Sequence, residues 1–68
     1  MSNWQKVFSD KLEYRAEIVM AVLKDAGFQP VLINKKDSSY QWGYFEVLVA
    51  PSYVLKAIKI IENDISFK

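Results

Sequence analysis

The sequence predicts a small α+β domain: an antiparallel sheet with two helices packed on one of its faces. Three features predict it. Apolar residues recur with helical period from Leu12 to Ala26 and again from Val54 to Ile61. The segment Tyr44 to Ala50 alternates instead with the period of two that belongs to a strand. Two further β-branched or aromatic runs, around Val7 and Val31, complete the order strand, helix, strand, strand, helix.

Each element has its own grounds. Trp4 to Ser9 reads as a first strand because Trp, Val and Phe favour extended backbone. Asp10 followed by Glu13 matches a capping box, with Asp10 as N-cap, in which each side chain satisfies a backbone N–H at the helix start. The helix that follows places Leu12, Ala16, Val19, Leu23 and Ala26 on one stripe, flanked by Met20 and Val22, with Glu13, Glu17, Lys24 and Asp25 opposite. Gly27 then falls where a left-handed residue ends a helix.

Val31 to Ile33, bounded by Pro30 and Asn34, reads as a second strand, and Asn34 to Gly43 as a polar connection with aromatic residues near its tip. In the third strand, Tyr44 to Ala50, Phe45, Val47 and Val49 share one face while Tyr44, Glu46 and Leu48 share the other. Pro51-Ser52 opens a second helix whose expected buried side is Val54, Leu55, Ile58 and Ile61, with Lys56, Lys59 and Glu62 outside. Asn63-Asp64 can stop it, and Ile65-Ser66-Phe67 is either a stub of a fourth strand or a docked tail. The order β-α-β-β-α, with an optional last β, is the split βαβ arrangement of ferredoxin-like domains. There the third strand lies between the first two, and the sheet face away from the helices is left for solvent or a partner.

Composition narrows the function classes. At 68 residues the chain has room for one domain, residues 1–68, and 51% hydrophobic content is far above the range of disordered chains. With no His and no Cys, it lacks the one side chain that titrates near neutrality and the strongest protein nucleophile. Neither a zinc site of the usual ligands nor a Ser–His–Asp relay can be assembled. The two glycines are isolated, so no phosphate-cradling loop exists, and the eight carboxylates are scattered. The expectation is a protein that is not an enzyme, with no cofactor and no metal.

A domain of roughly 60 residues buries only about 60% of its unfolded surface, and small domains commonly compensate with disulfides, a metal or self-association. Without Cys or His, a homodimer or higher homo-oligomer is expected. Nine basic and eight acidic residues leave a net charge of +1, so nucleic acid is not the expected partner. The longest apolar run, Ile18 to Leu23, is six residues, far short of the roughly 20 that span a bilayer. The segment Met1 to Lys6 shows no signal-peptide pattern, so a soluble cytoplasmic protein is expected.

The helix ending in Asp25-Ala26-Gly27-Phe28, then the stretch Val31 to Tyr40, then Phe45-Glu46-Val47 and a short helix, resemble a small bacterial family. It is the domain-of-unknown-function family labelled as a prokaryotic signal-transducing protein, in the form common among Bacteroidetes. The stretch Asn34 to Tyr40 carries the most specific part of the likeness. The resemblance implies a ferredoxin-like fold related in shape to the nitrogen-regulatory PII proteins. It implies no reaction and no catalytic residue.

Two candidate binding regions follow. The connection Asn34 to Gly43 carries Lys35, Lys36, Tyr40 and Trp42, and its length suits a recognition loop; alternatively, Tyr40 and Trp42 fold back on the sheet edge and the lysines are only solvated. The second region is the open sheet face. If Val7, Phe45, Val47 and Val49 face the helices, then Trp4, Lys6, Phe8, Tyr44, Glu46 and Leu48 face away, and Lys6 can pair with Glu46. The competing register buries Trp4 and Phe8 but drives Lys6 inward, which is costly. Arg15, at the margin of the first helix's stripe, is expected to cover the core with its stem while its charge reaches water. The leading expectation is a non-enzymatic cytoplasmic binding or regulatory module acting through protein–protein contacts. The alternatives are a single-stranded RNA binder that stacks bases on Trp4, Phe8 and Tyr44, or a small-molecule sensor at a subunit interface.

Overall fold

The strand β3, Trp42–Val49, is the centre of the sheet, with β1, Gln5–Asp10, on one side and β2, Val31–Asp37, on the other; both pair with it antiparallel. The helix α1, Glu13–Asp25, joins β1 to β2, and a short 3-10 turn, Pro51–Tyr53, leads from β3 into α2, Val54–Asp64. This α+β arrangement of a three-stranded sheet and two helices is seen in a computed structural model that describes residues 3–37 and 42–65. Tyr40, and the Ser66-Phe67 part of a possible fourth strand, lie outside the described residues.

Alternation along β3 decides where the core forms. Val47 and Val49, two apart and therefore on one face, are fully buried in a cluster with Ala16, Val19 and Leu23 of α1 and Ala57 of α2. Each large apolar side chain so buried stabilises the fold by about 1.5–3 kcal/mol. Phe28, Leu32, Phe45, Val54 and Ile61 pack around this cluster with part of their surface exposed. The stripe expected on α1 is therefore real at its centre, while Leu12 and Ala26 at its ends stay exposed.

The stop of α1 follows its sequence closely. Gly27 has φ +94°, the left-handed region that a side chain rarely tolerates. The Gly27 N–H donates to the Lys24 carbonyl at 3.0 Å and the Phe28 N–H to the Leu23 carbonyl at 2.9 Å, the paired bonds of a Schellman motif. At the other end the capping box is not formed. The N-cap is Leu12, and Asp10 stands two residues before it with its Oδ1 accepting the Leu12 N–H at 2.8 Å. This is an Asx-type turn: Asp10 is the last residue of β1, so its carboxylate reaches the backbone two positions on and does not serve as the N-cap.

Three further expectations are corrected. The residues Asn34 to Asp37 continue β2, and β3 begins at Trp42, so the connection shrinks to 38–41. Lys35 and Lys36 sit in the ladder opposite Tyr44 and Gly43, and Trp42 opposite Asp37. Polar composition suggested a loop, but β2 is an edge strand, where lysines are tolerated and even protective. Second, α2 buries Ala57 and leaves Leu55 80% exposed. Its stripe runs Val54, Ala57, Ile61, with Ile65 beyond the helix end, because the small Ala lets the helix approach closely while Leu55 falls on the far side. Third, Phe8 does not point away from the helices. A bulge between Lys6 and Phe8 puts Phe8 opposite Val47, and both Val7 and Phe8 pack against the core.

Candidate functional site

The open face of the sheet is assembled by register alone. Opposite residues in a ladder share a face, so Val31 with Leu48, Ile33 with Glu46, and Lys35 with Tyr44 lie together on the side away from Val47 and Val49. Lys6, opposite Leu48, and Ser9, opposite Glu46, extend that face onto β1. Val31, Ile33 and Tyr44 are each between 37% and 43% exposed, and Leu48 is half-buried among them. The Lys6 Nζ lies 3.7 Å from Glu46 Oε2, the pairing expected from the sequence. The Lys6 end is exposed while the Glu46 side chain is only 13% exposed, so solvent screens the pair from one side.

Of the residues singled out from sequence, Lys35, Tyr44 and Leu48 meet on this face. Phe8 does not; it belongs to the core side. Trp4 precedes β1 and lines a cleft elsewhere. For Lys36 and Trp42 the structure describes the ladder position only. Val31 and Ile33 were missed. Their signal was present in the alternation Val31, Ile33, Lys35 against Leu32, Asn34, once the strand is carried through its lysines.

The cleft lies where α1 ends. Trp4, Phe28, Gln29 and Tyr53, with Gly27 and Ala50, enclose about 260 Å³. The Phe28 and Tyr53 rings have centroids 5.4 Å apart and planes inclined at 57°, so they form adjoining walls. Trp4 is 40% exposed and Tyr53 48%. The Schellman turn positions Phe28, and the 3-10 turn after Ala50 positions Tyr53.

A third feature is electrostatic. Arg15 Nη1 lies 3.3 Å from Asp10 Oδ2, and its Nε donates to the Tyr14 hydroxyl at 3.4 Å. The backbone N–H of Leu12, assisted by the nearby Arg15 guanidinium, holds the Asp10 carboxyl below its ordinary pKa. The hydrogen bond to Tyr14, together with Asp10, raises Arg15 above its ordinary value. Arg15 thus ties the start of α1 back to the end of β1, where a solvated head group was expected.

Among the described residues no group of three or more Asp or Glu side chains is placed to hold a metal, and no helix is long and apolar enough to cross a membrane. No protein-family profile, curated protein or solved structure matches the chain.

Proposed function

We propose that this protein is a non-enzymatic binding or regulatory module that works through protein–protein contacts, a second copy of itself included, made by the open sheet face. One observation carries the reading: Val31, Ile33 and Tyr44 stand exposed on a single face around Leu48. Apolar groups grouped in this way on a small domain mark an interaction surface. The order β1-β3-β2 is compatible with a ferredoxin-like domain, and a signal-transducing role in the cytoplasm is part of the same proposal.

The size of the face sets the strength of the contact. Three strands about 4.8 Å apart and roughly seven residues long at about 3.3 Å each give a footprint of ~300–350 Å². That is under half of the ~800 Å² each partner contributes to a standard interface. Contact through this face alone is therefore weak and concentration-dependent. The RNA alternative needed Trp4, Phe8 and Tyr44 on one platform; only Tyr44 lies there, which favours the protein-contact reading.

The test compares affinity capture by the wild-type chain, by Ile33→Glu and by a Lys36→Ala/Trp42→Ala variant at the hairpin end, each checked for retained circular dichroism. Loss of the captured set with Ile33→Glu alone supports the sheet face. Loss only with the double variant moves the site to the hairpin end, and no change in either variant refutes the proposal.

A further inference from the structure

Beyond the sheet face, we infer that the cleft bounded by Trp4, Phe28 and Tyr53 is a binding site for an organic cation head group, an alkylammonium or a guanidinium. Three aromatic rings arrive there from three separate parts of the chain: the segment before β1, the residue that closes the Schellman turn, and the 3-10 turn before α2. Aromatic faces carry a negative quadrupole that attracts a cation within about 6 Å of the ring centroid. With Phe28 and Tyr53 centroids 5.4 Å apart and their planes inclined, one head group can meet that distance to both.

The cleft adjoins both the C-terminal end of α1 and, at Tyr53, the N-terminal end of α2, so the two helix dipoles oppose each other there and the aromatic side chains carry the attraction. Among the described residues no Lys, Arg, Asp or Glu lines it, so a cation entering meets the aromatic side chains and Gln29 with no competing ammonium. A volume of about 260 Å³ lies just below the roughly 300–1,000 Å³ of pockets that enclose a whole drug-sized molecule. It suits a head group whose remainder stays outside: a free quaternary ammonium compound, or an Arg side chain on a peptide.

The experiment is an NMR titration of the full ¹⁵N-labelled chain with choline, with N-acetylarginine methylamide, and with 3,3-dimethylbutan-1-ol, the uncharged isostere of choline. The expected result is saturable shifts confined to the Trp4 indole N–H and the amides of Gly27, Gln29 and Ala50, with a cation preferred over the isostere by at least about fivefold. A stronger response to choline assigns the site to free small molecules; a stronger response to the arginine derivative assigns it to peptides. Tyr53→Leu and Trp4→Leu should each weaken the cation at least about threefold while the rest of the spectrum is retained. Ile33→Glu should leave the titration unchanged, separating this site from the sheet face. Equal affinity for the isostere, or no localised shift with either cation on the order of 50 mM, overturns the inference.

Discussion

Phe8 stands directly opposite Val47 in the β1–β3 ladder while Lys6 stands opposite Leu48, and Val7 between them has no counterpart on β3. The bulge lets Val7 and Phe8 both reach the core while Lys6 stays outside and pairs with Glu46. Phe8→Ala should therefore cost about 2–3 kcal/mol, somewhat less than the 3–5 kcal/mol of a fully buried Phe. Tyr44→Ala, on the exposed face, should change stability by no more than about 0.5 kcal/mol. Urea unfolding midpoints of the two variants check the contrast, and equal losses would contradict the assignment of Phe8 to the core side.

The same bulge shows what could be read from the sequence and what could not. Strict alternation offered two registers for β1, one exposing Phe8 and one burying Lys6, and each had a cost. A single inserted residue removes both costs, but nothing in Lys6-Val7-Phe8 marks a bulge, since it contains no glycine and no proline. By contrast, Gly27 declared the end of α1 openly, because few residues other than glycine sit comfortably at a left-handed φ. The extension of β2 through Lys35 and Lys36 was obscured because composition reports exposure, whereas strand pairing is made by backbone. For the candidate site, Tyr44 and Leu48 were legible from alternation in β3, whereas Lys35 was singled out only as part of a connection, and Val31, Ile33 and Lys35 join the face only with β2 drawn to its full length.

Gly27→Ala should destabilise by about 1–2 kcal/mol, the cost of a left-handed backbone for an L side chain. Among the described residues, its chain neighbours apart, no atom lies within 4 Å of where the added Cβ would stand, so backbone strain dominates the effect. Gly27→Asn should lose less, because Asn tolerates this region better. Thermal melts of the three proteins test the ranking; a larger loss for Asn than for Ala would point to a steric clash instead.

Leu23→Ala should cost about 2–5 kcal/mol, since Leu23 is fully buried at the centre of the core. A chain of this length has roughly 3–10 kcal/mol of stability in total, so this one change removes a large share of it and should lower the melting temperature markedly. Leu55→Ser, although also a loss of leucine, should change stability by less than about 0.5 kcal/mol because that side chain is 80% exposed. Circular dichroism melts of both variants decide whether α2 turns toward the core on Ala57.

Asp10 links stability to acid. Its folded pKa is depressed, so its contribution is fully present above the unfolded carboxyl pKa near about 3.9 and is lost as pH falls through the lower folded value. Asp10→Asn should lower the melting temperature at pH 7, and the gap to wild type should narrow as pH falls below the ordinary carboxyl value. A gap that is constant across this range would show that the carboxylate charge does not matter to the Leu12 and Arg15 contacts.

The most direct test of the open sheet face as the binding surface is sedimentation equilibrium from about 10 to 500 µM, spanning the weak range that its footprint implies. Wild-type protein should rise above the monomer mass of 7.9 kDa with concentration. Ile33→Glu, with unchanged circular dichroism, should remain monomeric throughout. A wild-type chain that stays monomeric across the range, or association that survives Ile33→Glu undiminished, would contradict the account.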